Sequence, residues 1–155
     1  MLPEVTIYTD GASSGKSEAP GGWACIFVYG EREHAITGND PKTSNQRMEM
    51  TAVIRGLQSL TRPCRVLVVS DSAYVVNCIQ QGWWRKWKRN GWKNAKNKRV
   101  ANRDLWEELL KALEWHEAVF AHVKGHNGHE YNEKCDILAV EAKKAGAYAS
   151  STAFV

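Results

Sequence analysis

Four acids stand where a chain could assemble chemistry. Asp10 closes the stretch Val5-Thr6-Ile7-Tyr8-Thr9 and is followed by Gly11. Asp71 closes the apolar run from Arg65 to Ser70, while Glu49 and Asp136 lie early in two helix-like stretches. Singly, each is ordinary: an acid at a strand end is commonly a turn residue, and one near a helix start is a favourable dipole partner. Together they suggest more. If the strands ending in Asp10 and Asp71 are parallel neighbours, their carboxylates meet at the sheet edge where open α/β folds build sites. Glu49 and Asp136 can reach that edge. Carboxylates so crowded repel, and some stay protonated unless a cation intervenes. Hard oxygen ligands suit Mg²⁺ or Mn²⁺, and two such ions suit in-line attack at a phosphodiester. His126 and His129 could suggest zinc, but no complete ligand set accompanies them.

The elements that would position these acids are legible in the side-chain pattern. Val5, Ile7 and Thr9 alternate with Thr6, Tyr8 and Asp10, the period of a β-strand. Pro20-Gly21-Gly22 reads as a turn, Trp23–Tyr29 as a second strand, and His34–Gly38 as a third, with connections short enough for antiparallel hairpins. Thr43 is read as N-cap of a capping box with Gln46, ahead of a helix with Met50, Val53, Ile54, Leu57 and Leu60 on one face. Arg65–Ser70 is continuously apolar, as expected of a strand covered on both faces. A helix over 72–81 carries Tyr74, Val75, Cys78 and Ile79 on one side. Asn102 is the expected N-cap of a helix burying Leu105, Trp106, Leu109, Leu110 and Leu113. A strand over 118–123 leads through a Gly- and His-rich loop into a last helix from about Tyr131, with Cys135, Leu138, Ala139 and Ala142 inward. Three strands followed by alternating strands and helices give an α/β fold with a mixed sheet.

Composition narrows the function. The 155 residues fit one domain. No apolar run approaches the roughly 18 residues of a membrane span, and the start lacks a signal-peptide pattern, so a cytoplasmic protein with no membrane partner is expected. The four cysteines form no C-x-x-C pair and read as buried thiols. Between Asp71 and Asp104 there is no acid but nine bases; elsewhere 12 bases stand against 17 acids. An acidic body with a basic block suggests a polyanionic partner gripped by that block. Trp83, Trp84, Trp87 and Trp92 interleave with Arg85, Lys86, Lys88 and Arg89 in the same stretch. They are read as packed support beneath an outward basic face.

The segments Ile7–Gly11, Asn45–Glu49, Asp71-Ser72 and Gly125–Asp136 resemble, in order and spacing, the motifs of type 1 ribonuclease H. The tryptophan-rich basic stretch resembles the substrate-gripping protrusion of its bacterial-type members. The resemblance covers nearly the whole chain, to about Lys144. It implies a ribonuclease H-like fold: a five-stranded mixed sheet, three strands antiparallel and then parallel ones, flanked by helices. Residues 1–145 would be the catalytic domain, about 82–101 its basic protrusion, and 146–155 a disordered tail. The implied activity is endonucleolytic hydrolysis of the RNA strand of an RNA–DNA hybrid duplex, using two Mg²⁺ ions (with Mn²⁺ an alternative) and leaving 5′-phosphate and 3′-hydroxyl ends. Position by position, Asp10, Glu49, Asp71 and Asp136 would be metal ligands and catalytic. His126 would be a mobile histidine aiding proton transfer or product release. Asn45 would meet the hybrid's minor groove, where RNA 2′-hydroxyls can be read. Trp83, Lys86, Trp87, Lys88, Arg89 and Trp92 would bind substrate. A monomer is expected. The chain departs from the usual pattern in residues 12–20, where a tighter Gly-Asn-Pro-Gly turn is common, and at Ala73, where many members have Gln. Two rivals share parts of this evidence: a transferase or resolvase of the same superfold acting on DNA, and a non-catalytic hybrid-binding module. The loop histidine, the basic block and the complete set of four acids favour the nuclease.

Overall fold

The computed structural model describes residues 1–15, 18–123 and 129–145. Its strands are β1 (Glu4–Ser13), β2 (Ala19–Tyr29), β3 (Arg32–Thr43), β4 (Arg65–Ser70) and β5 (Glu117–His122). Its helices are α1 (Asn45–Gln58), α2 (Ala73–Gln81), α3 (Trp83–Arg89), α4 (Arg103–Leu113) and α5 (Glu130–Ala145). The sheet order is β3-β2-β1-β4-β5, antiparallel from β3 to β1 and parallel from β1 to β5. The expected five-stranded mixed sheet is what the chain forms.

Alternation in β1 sets the layers. Val5 and Ile7 point to a core shared with Met50, Val53, Ile54 and Leu57 of α1, Val75 of α2, Trp106 and Leu109 of α4, and Val66, Val68 and Phe120 of the sheet. The face of α1 read from the sequence is therefore the buried one. On the opposite face α5 lies across β1 and β2, burying Cys135 and Ala139. All four cysteines are buried free thiols.

Several boundaries differ from the sequence reading, each for a local reason. Pro20-Gly21-Gly22 is no turn but the start of β2. A Cβ on Gly22 would strike the α5 backbone at Ala139 and Lys143, so this glycine serves close helix packing rather than chain reversal. Strand β3 runs on through Pro41 to Thr43; it is an edge strand, where proline costs no ladder bond. Ser44, not Thr43, caps α1: its hydroxyl accepts from the Arg47 N–H at 3.2 Å. Asn102 does precede α4, but in a left-handed conformation and without a side-chain cap bond. Its Oδ1 instead accepts from Arg47 Nη1 at 3.1 Å. Strand β4 is not covered on both faces throughout, since α5 leans toward β2 and leaves Leu67 38% exposed beside Val119, 64% exposed.

Candidate active site

The parallel pairing of β1 with β4 decides the site. Thr9 is the register partner of Ser70, so Asp10 and Asp71 leave neighbouring strands side by side. Helix α1 brings the third acid. Gly11 has no side chain, and any Cβ there would collide with the backbone of Met48 and Glu49. The first turns of α1 can thus rest against β1, which carries Glu49 onto Asp10. One carboxylate oxygen from each of Asp10, Glu49 and Asp71 lies within 4.8 Å of the others.

This cluster is short of compensation. Asp10 is 2% exposed. Its Oδ1 accepts from the Gly11 N–H at 2.8 Å, but Asp10 Oδ2, Glu49 Oε1 and Asp71 Oδ1 are buried without a hydrogen-bond partner. Burial, then the charge of Asp71, pushes the Asp10 pKa up to about 8, against the lowering bond from Gly11. Glu49 faces both aspartates and is held well above the usual carboxylate range, first by burial and then by Asp71. Buried oxygens that lack donors and ionise reluctantly are what a hard divalent cation would satisfy. The donor set is all oxygen, so the residues fit Mg²⁺ or Mn²⁺ and do not suit a thiophilic metal.

Asp136, on α5, lies outside that close triple but near enough for its charge to act on Asp10. Asn45, at the exposed start of α1, sits one turn before Glu49 on the same helical face. His126 lies outside the described residues.

The sequence model of the RNase H family matches residues 3–144. The chain belongs to the ribonuclease H family. It is 51% identical to a ribonuclease H of Chlorobaculum parvum over 90% of this chain and 94% of the relative. It is 49% identical to a ribonuclease H of Moorella thermoacetica, over 89% and 90% respectively. Among solved structures it resembles LC9-RNase H1, a type 1 RNase H with the type 2 active-site motif. There the TM-score is 0.88 at 28% identity, covering 98% of this chain and 77% of that one. The fold is also shared with LC11-RNase H1, solved in complex with an RNA/DNA hybrid, at TM-score 0.70 and 22% identity, over 91% of this chain and 97% of that one.

In this ribonuclease H the basic stretch is built as two layers. Trp83 and Trp87 meet edge to face at 6.5 Å, Trp87 packs on Trp106 at 5.7 Å, and Tyr74 contacts both Trp83 and Trp106. Trp92 is buried at 6% exposure, which makes it support. Its N–H reaches the Trp87 carbonyl at 2.6 Å, and its own carbonyl accepts from Val100 N–H at 2.9 Å. Arg85, Lys86, Lys88 and Arg89 all face solvent. The tryptophans carry the segment and the bases stand out from it, as the sequence suggests. Trp83 and Trp87 are half-exposed and line a hollow of about 720 Å³ with Lys86, Arg89 and Lys93.

Sequence reasoning missed two connections around the acids. Arg47, two residues before Glu49, forms a bidentate pair with Asp104 at 2.8 and 3.0 Å, tying the start of α1 to α4. Tyr8 stacks on Tyr131 at 4.7 Å between ring centres. The usable signal for the second was an aromatic residue on the face of β1 shared with Asp10, matched by one at the start of the helix that carries Asp136.

Proposed function

We propose that this chain is an endonuclease that hydrolyses the RNA strand of RNA–DNA hybrids, with residues 1–145 as its catalytic domain and about 82–101 as a basic protrusion. The observation that carries the reading is the Asp10–Glu49–Asp71 cluster with its three buried, unpartnered oxygens, in a chain of the ribonuclease H family. The relatives' names and the hybrid-bound neighbour point to the same substrate.

Asp10, Glu49, Asp71 and Asp136 would hold two Mg²⁺ ions. When bound, such ions supply an activated water and steady the attacking and leaving oxygens of an in-line displacement. Water adds to phosphorus, the bond to the 3′-oxygen breaks, and the products carry a 5′-phosphate and a 3′-hydroxyl. Strands β1 and β4 fix the two aspartates before substrate arrives, and Gly11 fixes Glu49 beside them. That preorganisation is what positions a scissile phosphate. His126 is the proposed group for proton transfer at the attacking or departing oxygen. Asn45 would read the minor groove, whose 2′-hydroxyls distinguish RNA from DNA. Lys86, Lys88 and Arg89 hold phosphates away from the cut, with Trp83 and Trp87 beside them and Trp92 beneath. Among the described residues no helix is long and apolar enough to cross a membrane, and the enzyme is proposed to act as a cytoplasmic monomer.

The test is cleavage of matched RNA–DNA, DNA–DNA and RNA–RNA duplexes in Mg²⁺, in Mn²⁺ and in chelator. Cutting of the RNA strand of the hybrid alone, abolished by chelator, is expected. Equal cutting of DNA–DNA would replace the reading with a DNA-directed enzyme of the same fold. Binding without cutting would make the chain a hybrid-binding module.

A further inference from the structure

The fourth carboxylate is the one the sheet does not position. Asp10 and Asp71 come from paired strands, and Glu49 is pressed on β1 through Gly11. Asp136 stands on α5, which enters the fold from a segment outside the described residues. Something must fix the start of α5 against β1, and the described residues show what does. Tyr8 is two residues from Asp10 on the same face of β1. The Tyr131 ring, in the first turn of α5, lies on it with an interplanar angle of 22°. His129, where the described chain resumes, lies 5.8 Å from the Tyr8 ring centre, tilted by 48°. Lys134 Nζ lies 5.4 Å from the Tyr131 ring centre and reaches Glu33 of β3 at 3.4 Å. One turn further on, the Cys135 thiol donates to the Tyr8 carbonyl at 3.3 Å. Asp136 is the next residue.

We infer that Tyr8 and Tyr131 form a positioning pair that sets Asp136 at its distance from the other three carboxylates. The inference rests on the proposed metal-dependent nuclease reading, which assigns Asp136 to the metal. Neither tyrosine is a catalytic residue in this account. Each acts through the helix it seats. Stacking suits the task, because offset rings hold both separation and tilt. A polar pair at the half-exposed start of a helix would be screened and would hold neither.

The expected signature is in metal affinity. Replacing Tyr131 with Ala leaves a good helix former in a half-buried first turn but frees the start of α5. Binding of Mn²⁺ alone to the protein without substrate, followed by loss of the free-ion paramagnetic resonance signal, should weaken about 10-fold, the lower end of what outer-shell supports contribute. In hybrid cleavage kcat should fall by a similar factor at limiting Mg²⁺ and recover as Mg²⁺ is raised, with KM for the hybrid unchanged. Tyr131→Phe keeps the ring and should match the parent within about twofold. Parent-like Mn²⁺ binding by a folded Tyr131→Ala protein would overturn the inference. So would a Phe variant as impaired as the Ala variant, since the hydroxyl rather than the stack would then matter. Should Tyr131→Ala fail to fold by circular dichroism, Tyr131→Leu takes its place under the same criteria. A parent that binds Mn²⁺ but cuts no hybrid would defeat the nuclease reading and leave the pair to be decided by Mn²⁺ binding alone.

Discussion

The acidic edge and the basic protrusion are built in opposite ways. Asp10, Glu49 and Asp71 are drawn from three separate elements and pressed together at the sheet edge, with buried oxygens left unpartnered. The bases come from one short stretch and stand separately in solvent on a frame of edge-to-face rings. On the proposed reading, the first region crowds carboxylates where water is scarce, and so would make chemistry at a cost in metal-free stability. The second disperses like charge where water screens it, and so would grip at little cost. Catalysis needs a site that is frustrated until its cation arrives, whereas binding needs only a field and a support.

The sharpest way to break this division of labour is to neutralise one acid. Asp10→Asn or Asp71→Asn should abolish hybrid cleavage in Mg²⁺ while leaving the circular dichroism spectrum unchanged. A folded mutant that cuts at the parent rate would remove these residues from the chemistry. His126→Ala should be milder, lowering turnover by about 10²–10⁴-fold with hybrid affinity nearly constant. Equal losses in both would mean that the histidine orders its loop instead.

The protrusion should respond in the other coordinate. In Lys86→Ala/Lys88→Ala/Arg89→Ala, KM should rise while kcat holds. Each lost phosphate contact should flatten the slope of log affinity against log salt by roughly 0.7–0.9. Phosphate contacts carry no sequence information, so hybrids of different sequence should weaken alike. An unchanged KM and salt slope in the folded triple mutant would reduce the protrusion to a solvated surface.

The smallest effect tests the stored repulsion. Asp10 has its pKa raised from the ordinary 3.8 to about 8 by burial and Asp71, so between those values the folded protein binds more protons than the unfolded chain. The contribution of Asp10 to stability in chelator is then fullest below about pH 4 and is lost as pH rises through the folded value. Glu49 contributes in the same direction. Asp10→Asn should therefore be more stable than the parent in chelator at neutral pH, by on the order of a few kcal/mol, and the gain should vanish in acid. The gain should also shrink when Mg²⁺ is added to both proteins. Thermal melts across pH, with and without Mg²⁺, read all three. A gain that persisted in acid would place its cause outside the carboxylate cluster.

Much of this contrast was legible in the sequence because it rests on local pattern. Alternation from Val5 to Asp10 gave both the strand and the side on which its acid emerges. The run ending at Asp71 suggested a parallel neighbour, and the register of Thr9 with Ser70 makes it one. The interleaved tryptophans declared a supported basic segment. What escaped was contact between distant elements. Gly22 looked like a turn because the residue type that reverses a chain is also the one that admits a helix backbone. Asn102 looked like a cap because nothing local says that Arg47 will take its side chain. The Tyr8–Tyr131 stack could not be seen until α5 lay across β1.

That last docking also has a consequence in time. Asp10, Glu49 and Asp71 leave the ribosome before the helix that carries Asp136. Domains fold as they are made, from the amino terminus onward. A nascent chain could pair β1 with β4 and gather three carboxylates while still tethered, yet lack the fourth. The full set of four carboxylates would then await α5, the last element of the described chain to be made.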